Sequence, residues 1–206
     1  MNKYKGVEGI NQITEAVFYC REKWEMERSC IEGSALLAKV LRRLGYSNAY
    51  LLTVHIQINN GALQRWADEN GISDVEVDVL ECEIESAFQI QIGKGVFSAD
   101  RWPGHLVVVV PAVLENQHVV IDMTILQANL PDRNIIIEDP VTFYTAETFV
   151  TGETLYKFDI NNARFIYEAY PEDKSYNDDH DCMELDGIDE AESYVLKLLF
   201  NESVSG

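Results

Sequence analysis

The sequence predicts an α+β fold in which helices come first and an antiparallel sheet follows. Three observations predict it. Apolar residues before Gly45 recur at three- and four-residue steps, and after Gly45 the texture turns to aromatic and β-branched runs of period two. Two apolar stretches, 105–110 and 117–122, then lie close enough in sequence to pair as a hairpin within a buried sheet.

The elements follow in order. Over 9–27, Ile10, Ile13, Val17, Cys20 and Trp24 form one apolar stripe, predicting a helix packed on a core. A second helix is predicted over 29–44, apolar nearly all round at Ala35, Leu36, Leu37, Ala38, Val40 and Leu41, with Gly45 as its left-handed stop. It reads as the central buried helix. Residues 50–58 read as a strand, 60–70 as a short helix ended by Gly71, and 75–80 and 88–92 as further strands. Gly93 and Gly95 mark a loop, and after the 105–122 pair come strand-like pieces over 142–170 and an acidic amphipathic helix over 188–200.

With 206 residues, 47% of them apolar and 25% charged, the chain has the make-up of one ordinary globular domain. The N-terminus lacks the apolar run of a signal peptide, and no stretch approaches the roughly 18 apolar residues of a membrane span. A cytoplasmic location is therefore expected. The four cysteines, Cys20, Cys30, Cys82 and Cys182, contain no Cys-x-x-Cys pair, which disfavours zinc and thioredoxin-type chemistry and suggests reduced thiols. A net charge of −19 argues against nucleic acid and against anionic membranes as partners. More than half of it falls between Glu168 and Ser193, where eleven acids face Lys174 alone. That segment reads either as a solvated, solubilising face or as a docking surface for a basic protein.

Ser29-Cys30-Ile31-Glu32 matches a Ser-x-x-Glu capping box, which sets Cys30 at the first position of the buried helix. Unpaired N–H groups and the positive end of the helix dipole there favour a thiolate and offer donors for an oxyanion. A cysteine at such a position is also, more plainly, a small buried apolar residue. In the strand pair, closing a hairpin through 111–116 with Val110 opposite Gln117 sets His105 directly opposite Asp122. Opposed residues of an antiparallel pair share a face with Cβ atoms about 4.5–5.5 Å apart, within reach for a carboxylate to hold an imidazole. The plainer alternative is a satisfied histidine beside a strand-end acid. Trp102 and Gly104, flanking Pro103, read as a rigid turn walling a pocket. His55, in mid-strand, and His118, on the same face as Asp122 but four positions away, compete poorly with His105. His180, among Asp178, Asp179 and Asp181, lacks zinc-ligand spacing.

In order and spacing, Cys30, Ala35, Leu36, Leu41, Arg42, Gly45, Tyr46, then His105, then Asp122-Met123-Thr124 resemble the transglutaminase-like superfamily over roughly residues 9–125. The resemblance implies a papain-like core, a central helix carrying the cysteine packed on an antiparallel sheet carrying the histidine and the acid. It implies Cys30 as nucleophile, His105 as base and Asp122 as the group that fixes the imidazole. The family's residues just after the cysteine are replaced here by Ile31 and Glu32, so the oxyanion donor falls to candidates, Gln12 on the first helix or Trp24. Residues 1–170 are then the transglutaminase-like domain, with 171–206 an acidic, helix-bearing segment packed on it.

The expected function is a thiol-dependent hydrolase or acyl transferase acting on a protein or peptide amide, or on a thioester, with no cofactor and no metal. The alternative from another class is a catalytically silent scaffold that binds a basic protein through its acidic part.

Overall fold

The computed structural model describes residues 4–21, 23, 30–93, 104–114, 117–177 and 181–201. Its architecture is α+β, with an antiparallel sheet as the frame and the three longest helices on one face.

Helix α1 (Gly6–Arg21) buries Ile10, Ile13, Val17 and Cys20, the apolar stripe of the sequence. Of the predicted stretch, 22 and 24–27 lie outside the described residues. Helix α2 (Cys30–Arg43) buries an unbroken run from Gly33 to Ala38, then Val40 and Leu41. Each fully buried Leu or Val side chain there contributes about 1.5–3 kcal/mol of transfer free energy, which fixes α2 against the sheet. Gly45 ends it at φ +106°, with Tyr46 N–H returning to the Leu41 carbonyl.

Strand β1 (Tyr50–Asn59) is the hub of the sheet. Strand β3 (His105–Leu114) pairs with its first half and β2 (Gln89–Ile92) with its second, end to end along one edge. Strand β7 (Ala163–Tyr170) runs along the other edge. Beyond these lie β4 (Gln117–Asp122) and β5 (Val141–Thr145) on one side and β6 (Tyr156–Ile160) on the other, giving the order β5-β4-β3-β1-β7-β6. Although β5 and β6 end that order, Phe143 of β5 stacks on Tyr156 of β6 at 4.3 Å between ring centroids and meets Tyr167 of β7 at 5.2 Å. The sheet therefore curls until its two ends face each other across an apolar interior.

Side-chain alternation sorts the sheet residues between two cores. Leu106, Val108, Val110, Val119 and Ile121 face outward and pack with α1, α2 and the C-terminal helix α5 (Ile188–Asn201), whose Ile188, Ala191, Val195 and Leu199 belong to the same cluster. Leu52, Val54, Val107, Val109, Val120, Phe143 and Tyr167 face inward, joined by Phe149 and Val150 of the short helix α4 (Glu147–Val150).

Two expectations are corrected. Residues 75–80 are not a strand: they form turns and a short 3-10 turn, Val79–Glu81, capped by the Asp78 carboxylate. The segment is held from the sheet instead, by Gln57 and Asn59 on the Asp74 carbonyl and Gln89 on the Val77 carbonyl. Helix α3 (Gly61–Asn70) does form as expected, capped by Asn60 and ended by Gly71. The second correction is the hairpin register. Strand β3 runs on through Pro111 to Leu114, with a bulge marked by Ala112 at φ +51°, so Val110 pairs with Val119 and not with Gln117. Proline lacks the N–H for a ladder bond and is tolerated where pairing is interrupted, so it sits inside this strand and does not end it. The slip is two residues, and only an odd slip exchanges faces.

Candidate active site

His105 is the first residue of β3 and Asp122 the last of β4. In the observed register Asp122 lies opposite Val107, one diagonal step from His105 and on the same face, close enough for long side chains to meet. Nε2 of His105 is 2.9 Å from both Asp122 carboxylate oxygens. The pair is sealed: His105 is 2% exposed and Asp122 is 0%.

Asp122 accepts two more hydrogen bonds, from the Thr124 N–H at 3.1 Å on Oδ1 and from the Tyr167 hydroxyl at 2.9 Å on Oδ2. The turn after β4 is tied to α1, because buried Arg21 donates to the Met123 carbonyl at 2.9 Å while its guanidinium lies over the Phe18 ring. Helix α2 is tied to β3 by the Ser34 hydroxyl on the Leu106 carbonyl at 2.9 Å.

Cys30, a free, half-buried thiol, is the first residue of α2. Its sulfur lies 3.9 Å from the carbonyl oxygen of Gly104, the residue just before His105, and its side chain adds to the proton affinity of the imidazole. Burial alone lowers the proton affinity of His105. The charge of Asp122, its hydrogen bond and the Cys30 side chain together outweigh that, raising the imidazole from 6.5 to about 10. The arrangement is a cationic imidazole held between a buried carboxylate and a thiol at a helix start.

No family model, curated protein or solved structure matches this chain.

The other predicted residues are placed as follows. Gln12 lines a cleft of about 570 Å³ with Tyr4, Glu15, Ala16, Tyr19, Leu198 and Leu199, between α1 and α5, and none of Cys30, His105 or Asp122 lines it. Gly104 is beside the thiol. Trp24, Trp102 and the capping residue Ser29 lie outside the described residues, as does His180. His118 pairs with Glu147 at 2.6 Å, and His55 stands 3.9 Å from Glu168. Cys20 and Cys182 are buried, and burial pushes the Cys182 thiol up to about 11. Among the described residues no three His, Cys, Asp or Glu side chains are grouped to hold a metal ion, and no helix is long and apolar enough to cross a membrane.

Tyr167 is the site residue that sequence reasoning missed. It lies 45 positions beyond Asp122 in an aromatic strand, with no local motif to single it out. A second feature was legible only as charge: Glu32 of the first turn of α2, with Asp181, Glu184, Leu185 and Asp186, lines a cleft of about 480 Å³.

Proposed function

We propose that the chain is a thiol-dependent hydrolase or acyl transferase of transglutaminase-like, papain-like type, acting on an amide or thioester carbonyl. The observation that carries this reading is the buried His105, held at Nε2 by the Asp122 carboxylate, with the Cys30 sulfur set against the carbonyl of Gly104, the residue just before it. With Nε2 taken by Asp122, Nδ1 is left for the thiol, and an imidazole held this way is the partner through which a cysteine nucleophile exchanges its proton.

In the reaction the Cys30 sulfur attacks the carbonyl carbon and the C=O electron pair moves onto oxygen. N–H groups at the start of α2, which have no intrahelical acceptor, are the donors available to that oxyanion. Collapse of the tetrahedral adduct expels the amine or thiol, which takes the imidazolium proton and leaves a Cys30 thioester with a neutral His105. His105 then draws a proton from water or an acceptor amine as it attacks the thioester, and Cys30 and His105 return to their starting state. Asp122 keeps the imidazole in one orientation throughout.

An activated ester such as p-nitrophenyl acetate tests this reading. The expected result is an acetyl adduct on Cys30 in the intact mass, absent from Cys30→Ser and formed at least a hundredfold more slowly by His105→Ala. Equal acetylation of Cys82, or an adduct indifferent to His105, would remove the support.

The acidic cleft beside α2 favours a second reading, a module that docks a basic protein segment on Glu32, Asp181, Glu184 and Asp186. Binding of a Lys-rich peptide that is weakened by salt yet unchanged in Cys30→Ala would favour it.

A further inference from the structure

We infer that Tyr167 is a positioning residue of this site, its hydroxyl holding the Asp122 carboxylate in the orientation that presents it to His105. This deepens the catalytic reading above and rests on it for its functional meaning.

Among the described residues His105 is the one cationic side chain within ion-pair reach of Asp122, so the rest of this buried charge is met by neutral donors. Each carboxylate oxygen has one of its own, the Thr124 N–H on Oδ1 and the Tyr167 O–H on Oδ2, and both oxygens stand at the same 2.9 Å from His105 Nε2. Rotation of the carboxylate breaks that symmetry at once. Thr124 is two residues from Asp122 and moves with it. Tyr167 belongs to β7, separated from β4 by β3 and β1 in the sheet order, so its bond fixes Asp122 to the far side of the curl.

The ring that carries this hydroxyl is fully buried and held between Phe143, at 5.2 Å between centroids, and Phe158, at 5.7 Å. Its tip is thus preorganised, with little freedom to lose on making the bond. Burial, then the charge of Asp122 and its hydrogen bond, push the Tyr167 hydroxyl well above its usual value, so it stays a donor across the working pH range.

The test is a ¹⁵N-histidine NMR titration of His105 in the wild type, in Tyr167→Phe, and in protein with 3-fluorotyrosine in place of Tyr167. Tyr167→Phe keeps the ring packing and removes one donor from the carboxylate. The His105 imidazolium then faces a less compensated carboxylate and gives up its proton at higher pH, by about one pH unit. The fluorinated ring is a stronger donor and moves that step the other way. An unmoved titration in both variants overturns the proposal, and if Tyr167→Phe fails to fold the fluorotyrosine protein decides alone. The readout does not use the thiol: inert Cys30 with a shifted titration sinks the catalytic reading and keeps the positioning role, whereas reactive Cys30 with an unshifted titration does the reverse.

Discussion

Two side chains of opposite charge, both sealed from water, make His105 and Asp122 costly to alter singly. Asp122→Ala leaves a buried imidazole without its counter-charge, and a loss of about 3–5 kcal/mol in urea unfolding is expected. The pH dependence has a definite sign. An imidazole raised from 6.5 to about 10 in the folded state stabilises the fold fully below about 6.5, and that contribution is lost as pH rises through about 10. The advantage of the wild type over Asp122→Asn should therefore shrink between pH 7 and pH 10, read from urea midpoints. A constant gap would mean that the pair does not hold its proton this tightly. His105 and Asp122 were legible in the sequence because face is set by parity, and parity survived the misread register. Tyr167 was not, since its partnership exists only after β7 has folded back along β1.

At the scale of elements, the site depends on how closely α2 approaches the turn after β4. A Cβ built on Gly33, one turn after Cys30, would lie 3.2 Å from the Thr124 methyl, inside ordinary contact. Gly33→Val forces helix and turn apart. A stability loss of about 1–3 kcal/mol is expected, with Cys30 alkylation slowed relative to the wild type. Retained stability with unchanged alkylation would show that this contact does not set the site. The helices and the long strands were readable because their periodicity is driven by burial on one or two faces. The hairpin end departs from expectation because Pro111 reads as a loop signal, whereas the chain absorbs it in a bulge at Ala112. The stretch 75–80 was misread because its apolar alternation faces only a small satellite cluster around Leu63 and Ala67, and its ties to the sheet come from Gln and Asn side chains.

For the whole molecule, a net charge of −19 opposes compaction. Raising NaCl from about 10 mM to about 150 mM shortens the Debye length from roughly 30 Å to 8 Å, so the thermal midpoint should rise. A midpoint that falls with salt would mean that ion pairs such as Lys157 and Arg164 with Asp74 outweigh the repulsion. The curl of the sheet is the other global feature: Phe143→Ala opens the contact between its two ends, at about 3–5 kcal/mol. What the assembled chain creates is one thiol set against a buried, cationic histidine. The rate of iodoacetamide alkylation at Cys30, mapped by mass spectrometry across pH 4–9 in the wild type and in His105→Ala, tests that most directly. Reaction that persists at acidic pH in the wild type and is lost in His105→Ala is the expected result. A Cys30 that is inert at acidic pH, or equally reactive without His105, would contradict it.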